Sequence, residues 1–326
     1  MPRTILVTGS LTYDLFFAYD GSFRDGVSRA DLDRLSLCFV AREHARAHGG
    51  TGANIAWNLR LLCEEPLLVG TVGDDGEPYC RMLRERGISA RTIEVVPGHA
   101  TSTAVISTDS GERQITFFHP GADAHGSWPA SQLDPSTISC AIAAPRDVRV
   151  TMEALAWCHH HRIPCIFDPG QNMLCFTTAD LWEGLTLSTG LVVNAFEWET
   201  LTSLLQTSLE GILSKVSWVI ITRGAEGCSV HTREESATLP ACPVTTVIDP
   251  TGAGDAFRAG LLTGMSRGWA LSDGCKLGAA LASKVTEQQG CLLSACRLEE
   301  ILERARRTYG EALPSFACME EVWVGA

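Results

Sequence analysis

The stretch LVVNAFE (191–197) passes without a break from a β-branched apolar run into a helix start. LVVN has the pattern of a buried strand, and Asn194 followed three residues on by Glu197 is a helix-capping signature. The same alternation extends in both directions. TILVTG (4–9), LLVGTV (67–72), PCIFD (164–168) and WVIIT (218–222) are further short buried strands. Between them, ANIAWNLRLLC (53–63), EPYCRMLRERG (77–87) and TMEALAWCHHHR (151–162) repeat apolar residues at intervals of three and four, the helical period. Strands alternating with helices predict an α/β fold: a doubly wound, mostly parallel sheet with helices on both faces. Ligands of such sheets bind beyond the carboxyl ends of the strands.

Two segments break this rhythm. Residues 15–46 mix aromatic and charged residues without a clear helix, and TSTAVISTDSGERQITFFH (101–119) is two strands joined by the breaker-rich turn DSGE. Together they predict a small, sequence-discontinuous β layer suited to act as a lid. The expected division is a large α/β domain from 1–14, 47–100 and 119–326, and a small β lid from 15–46 and 101–118. An open lid edge needs covering, which suggests a homodimer through the lid.

The chain has 326 residues and a formal net charge of −12. That balance argues against nucleic acid as a partner, because phosphate neutralisation needs a basic face. A small anion held by a local nest of amides remains compatible with it. The N-terminus makes a poor signal peptide, and no apolar stretch approaches a membrane span, so the expectation is a cytoplasmic protein without a membrane partner. Thirteen cysteines with no C-x-x-C pair read as reduced core thiols. The three consecutive histidines of WCHHHRIPC point in different directions on a helix and cannot converge on a metal.

DPTGAGDAF (249–257) carries the chemistry. Gly252 and Gly254 permit close backbone approach, and the helix they open, roughly 253–267, buries a stripe of Phe257, Leu261 and Met265. Ala256, Ala259 and Gly260 allow close packing against a neighbouring element. First-turn N–H groups without partners favour an anion. A carboxylate at that place, Asp255, would repel the anion unless it acts on something delivered to it. Phosphoryl transfer meets this condition: amides stabilise the moving group while Asp255 accepts the attacking hydroxyl's proton. Proximity to the helix N-terminus is expected to lower the Asp255 pKa.

DPTGAGDAFRAG resembles the C-terminal signature of the ribokinase-like (PfkB) family of sugar and nucleoside kinases, and GGTGANIAWNL (49–59) resembles its N-terminal signature. GTVGDDGEPY (70–79), LRERGI (83–88), NAFEWE (194–199) and TRGAEG (222–227) extend the resemblance to about residue 290. It implies a doubly wound domain with a β lid and an ATP- and Mg2+-dependent kinase. On matching positions it implies Asp255 as general base and Gly252, Ala253 and Gly254 as the anion hole. Asp14 would hold sugar hydroxyls, with Gly49, Gly50 and Asn54 on the acceptor side. Asn194 and Glu197 would organise magnesium through water, Thr222 and Gly224 would pass the nucleotide, and Asp249 falls where some relatives bind a monovalent cation such as K+.

The acceptor is less clearly marked. The sugar-kinase branch often shows D-x-N-x-R where this chain reads DPGQNM (168–173). QITFFHPGA (114–122), FDPGQ and Arg258 look more like bacterial adenosine or nucleoside kinases. Phe117 and Phe118 alternate sides of a strand, so only one faces the cleft, and Phe118 is the candidate there, where an aromatic can stack a purine; Gln114 is a candidate reader of the base edge. The expectation is therefore a nucleoside kinase, adenosine first, with a sugar kinase acting on ribose, fructose or a related sugar as the alternative. Arg258 lies one turn beyond Asp255 on the same face, placed either to reach a phosphate or, preferably, to pair with an acidic neighbour.

Overall fold

The computed structural model describes residues 4–28, 37–293 and 296–314. In chain order the strands are β1 (Thr4–Thr8), β2 (Thr12–Ala18), β3 (Glu43–Gly49), β4 (Pro66–Val72), β5 (Ile93–Val95), β6 (Ser102–Thr108), β7 (Gln114–His119), β8 (Ile138–Ala143), β9 (Cys165–Phe167), β10 (Gly190–Asn194), β11 (Trp218–Thr222), β12 (Cys228–Thr232) and β13 (Ser236–Leu239). The helices are α1 (Phe23–Ser28), α2 (Thr51–Leu61), α3 (Glu77–Glu85), α4 (Val148–His160), α5 (Thr178–Leu187), α6 (Ala195–Leu205), α7 (Leu209–Leu213), α8 (Ala253–Ser266), α9 (Leu271–Val285) and α10 (Leu298–Tyr309).

Nine strands form the main sheet in the order β13-β12-β11-β10-β9-β8-β1-β4-β5. All neighbours from β5 to β11 are parallel, and β12 and β13 add an antiparallel edge. The chain winds outward from β1 through β4 to β5, then returns to the other side at β8. That reversal opens a crevice beyond the carboxyl ends of β1 and β8. One apolar cluster lies on the face covered by α2, α8 and α9, and a second on the face covered by α4, α5 and α6. The strand runs read from sequence are therefore buried for the expected reason, with helices on both sides. The small residues of α8 do permit close packing: a Cβ on Gly260 would run into the Gly278 backbone of α9.

A separate four-stranded sheet has the order β3-β2-β6-β7. β2 starts at Thr12 and β3 runs on to Gly49, so both reach a few residues beyond the expected lid segment 15–46, while β6 lies within 101–118 and β7 passes it by one residue. The DSGE turn is tied by Asp109, whose carboxylate accepts N–H groups of Phe23, Gly111 and Arg113. Between β2 and β3 lies the short helix α1, which the mixed pattern of 15–46 did not reveal; residues 29–36 of that stretch fall outside the described residues.

Among the described residues no helix is long and apolar enough to cross a membrane. Most described cysteines are buried thiols, as expected; Cys63 departs from that reading and is disulfide-bonded. His159 and His160 end α4 exposed, and no group of three or more His, Cys, Asp or Glu that could hold a metal occurs among the described residues.

Candidate active site

The GAGD loop leads into α8 at the crevice. Gly252 is the N-cap with φ 81°, a left-handed conformation that a side chain at this position would strain. The Ala253 N–H donates to the Pro250 carbonyl, 3.2 Å, and the Ala256 N–H to Gly252, 2.9 Å. Between them, the N–H groups of Gly254 and Asp255 have no backbone carbonyl partner among the described residues. The Gly252 N–H likewise has no backbone carbonyl partner among the described residues, so the amides open to an anion in this turn are those of Gly252, Gly254 and Asp255, while Ala253, expected in the anion hole, donates to Pro250.

Asp255 is half-buried in the same turn, and Asn54 of α2 donates to its Oδ2 at 2.8 Å. Burial pushes its pKa up to about 6, outweighing Arg258 and the Asn54 amide, which pull it down; Asp168 and Asp14 add to the rise. The expectation of a lowered value is overturned. A helix N-terminus favours the anion by about 0.3–1 kcal/mol, whereas desolvation acts on the whole charge. The result is a stronger base than an exposed aspartate, still ionised at neutral pH.

Asp14 enters from the small sheet, on β2. Burial raises its pKa also to about 6. A Cβ on Gly49 would collide with its carboxylate, and Gly50, at φ 95°, turns the chain from β3 into α2. The Tyr79 hydroxyl donates to the Gly49 carbonyl and fixes this turn from α3. Asn54 keeps its Oδ1 buried and without a partner. A buried amide oxygen in that state is an acceptor for a hydroxyl brought to the site.

The register of the small sheet decides which lid residues look the same way as Asp14. Asp14 is opposite Ala47 on β3 and Ala104 on β6, and Ala104 is opposite Phe118 on β7. Directly paired residues share a face, so Asp14, Ala104 and Phe118 form one row. Phe118 is 51% exposed; Phe117, on the opposite face, is 70% exposed. Gln114 shares the face of Asp14 but sits in the row of Thr108 and Ala18, four residues along the strand, about 13 Å away. It bonds to Thr108 Oγ1 and does not reach the row of Asp14.

On the other flank, Asn194 and Glu197 form the capping box that their spacing indicates: Asn194 Oδ1 takes the Glu197 N–H and Glu197 Oε2 takes the Asn194 N–H, each at 2.8 Å. Glu197 is buried, and burial with the nearby Asp168 raises its pKa, while the Asn194 N–H and Arg258 counteract. Thr222 pairs with Asn194 across β10 and β11, and Gly224 follows at φ 55° with open space around it. Asp249 accepts the N–H groups of Thr251 and Gly290 and the Gln289 side-chain amide, tying the loop to the segment after α9. Arg258 pairs with Asp168, the first residue after β9, as the preferred reading of it held. The Asn54–Asp255 bond joins residues 201 apart and has no sequence signal; the Asp168–Arg258 pair was half-visible, since only the arginine was expected to seek an acid.

A half-buried carboxylate beside unpaired helix-start amides, at the switch point of a doubly wound sheet and under a second sheet that brings another carboxylate, is an arrangement suited to a phosphotransferase acting on an alcohol. The comparisons agree. Residues 4–296 match the pfkB family of carbohydrate kinases, and the chain belongs to that family as an ATP-dependent kinase. It is 30% identical over 264 residues to a nucleoside kinase of Methanocaldococcus jannaschii, covering 80% of this chain and 86% of that protein. The solved structure of a Burkholderia thailandensis nucleoside kinase in complex with inosine is 31% identical and superposes with a TM-score of 0.85, covering 95% of this chain and 99% of that one. The ADP-inosine complex of the same kinase gives a TM-score of 0.83 at 30% identity, covering 97% and 99%.

Proposed function

We propose that this kinase phosphorylates the primary 5′-hydroxyl of a nucleoside, with adenosine the first candidate and inosine the second. The observation that carries the reading is the row Asp14–Ala104–Phe118. Two strand spacings separate its ends, about 10 Å. A ribose diol on the Asp14 carboxylate leaves the base lying over the small Ala104 toward the Phe118 ring, where an aromatic face adds about 0.5–1.5 kcal/mol of stacking. A free sugar spans only the Asp14 end. The complex of the Burkholderia kinase with inosine supports a purine nucleoside as the acceptor.

In the transfer, Asp255 takes the proton of the 5′-hydroxyl as its oxygen bonds to the γ-phosphorus. The bond from that phosphorus to the β,γ-bridging oxygen breaks, and ADP leaves. The free Gly254 and Asp255 amides stabilise the charge on the moving phosphoryl group. Thr222 and Gly224 flank the nucleotide side. Asn54 holds Asp255 through its amide nitrogen and offers its unpaired Oδ1 to the acceptor. The small sheet acts as the lid, excluding water that would otherwise hydrolyse ATP.

Magnesium suits Glu197, a buried oxygen donor whose raised pKa a nearby dication would offset, and it supplies charge neutralisation on the phosphates. Asp249 is the position to examine for a monovalent cation such as K+; three N–H donors already account for its carboxylate as a loop tie. The far face of the lid, with Leu15, Phe17, Val105, Ile115 and Phe117, suits a second copy of the chain.

The test is ADP release from ATP and Mg2+ with adenosine, inosine, guanosine, cytidine, ribose and fructose, and identification of the phosphorylated hydroxyl in the product. Turnover with nucleosides, giving 5′-monophosphates, supports the reading. Turnover with free sugars alone overturns it in favour of a sugar kinase.

A further inference from the structure

Arg258 is a buried cation surrounded by three carboxylates of the site. Its Nε and Nη2 grip both oxygens of Asp168, the latter at 2.8 Å, and its Nη1 donates to the Gly254 carbonyl at 3.1 Å. Asp168 is fully buried, and Arg258 is 7% exposed. Asp255 and Glu197 both lie within its electrostatic reach. A fork of this kind fixes a planar guanidinium in position, as a lysine could not. The Gly254 carbonyl belongs to the same peptide plane as the Asp255 N–H, one of the amides of this turn without a backbone carbonyl partner among the described residues. A Cβ on Gly254 would press on the Nη1 atom, so the glycine also makes room for the contact.

We propose that Arg258, clamped by Asp168, is a positioning residue that holds the Gly254–Asp255 peptide so that its N–H and the Asp255 carboxylate both address the transferring group. This rests on the assignment of Asp255 as base. A clamp needed only for stability would need no contact with the loop; here the third nitrogen reaches back four residues to the anion-binding turn. The charged and titratable groups facing Asp255 are Arg258 on its own helix, Asp168 after β9, Asp14 on β2 and Cys291 after α9, with Glu197 acting through Arg258. Of these Arg258 alone favours the ionised base.

The experiment measures kcat, both KM values, the pH–rate profile from pH 5 to 8 and the Tm of Arg258→Lys, Asp168→Asn and Asp255→Asn. Arg258→Lys keeps the charge and loses the fork: kcat falls by roughly 10–100-fold, as expected for a misplaced group, with both KM values within about threefold and the acid limb unmoved. Asp168→Asn removes an anion, so the acid limb moves to lower pH. Folded variants with kcat within about twofold of the parent and an unmoved acid limb would overturn the proposal, leaving a structural ion pair. If the single variants do not fold, the double variant Asp168→Leu with Arg258→Met removes the pair without orphaning a charge. It should fold, lose at least about tenfold in kcat and move the acid limb to higher pH; parent-like kcat in it also overturns the proposal. Failure of the base assignment is separate, since it would show as parent-like turnover of Asp255→Asn.

Discussion

In the main sheet every residue of β4 is buried, whereas in the small sheet every residue of β7 is exposed. The first kind of strand is sandwiched between helices and has no free face. The second offers side chains on both faces, one toward the cleft and one away from it. The difference separates two tasks. The close-packed domain holds a helix start, a base and a buried cation in fixed relation, which phosphoryl transfer requires. On the proposed reading the open sheet carries what distinguishes one acceptor from another, where a change of side chain disturbs no core.

The sharpest way to break this division is Asp255→Asn. Turnover should fall by roughly 10³-fold while acceptor and ATP binding stay within a few-fold, checked by steady-state kinetics and calorimetric titration. The fold should gain. The folded pKa of about 6 lies above the unfolded value of 3.8, so the native state binds more protons between these values. The ionised parent therefore loses stability as pH rises from about 4 to 6. Asp255→Asn should raise Tm by roughly 2–4 °C at pH 8 and by nothing below about pH 4.

Asp14→Ala comes next. It should raise the acceptor KM by roughly 10²-fold and leave the ATP KM alone, because the carboxylate belongs to the lid side of the cleft. Selective loss of ATP affinity would place the acceptor elsewhere. The pH profile is a milder probe. With Asp255 at about 6 in the free protein, kcat/KM should fall at least roughly tenfold between pH 7 and 5, and more steeply still because Asp14 also titrates near 6. The smallest effect is expected for Phe117→Ala, with kcat/KM within about twofold of the parent. If the outer lid face joins two copies, the same change should shift sedimentation toward the monomer.

The main sheet was largely legible because its buried strands are short runs of branched apolar residues flanked by periodic helices. One central strand escaped: β8, ISCAIA, has small residues between its two isoleucines, and its place beside β1 comes from pairing that spans the sequence. β3, EHARAHG, is a strand without any large apolar residue, formed because β2 supplies its partner. In the site, the loop glycines and Asp255 were visible as a local pattern. The Asn54 contact was not, since nothing local links positions 201 apart. The pKa of Asp255 was misjudged in sign because the dipole can be read from position in a helix, whereas burial is a property of the assembled molecule. Alternation told that only one of Phe117 and Phe118 could face the cleft, and the register puts Phe118, the expected one, in the row of Ala104 and Asp14.

The measurement that bears most directly on the division of labour is the ratio of kcat/KM for adenosine to that for ribose, taken in the parent, in Phe118→Ala and in Asp255→Asn. A base that acts on either acceptor lowers both rates together, so Asp255→Asn should leave the ratio unchanged. Loss of the stacking ring should reduce the ratio by roughly 3–10-fold in Phe118→Ala, with ribose nearly unaffected. A ratio that survives Phe118→Ala would contradict the account, as would one that changes in Asp255→Asn.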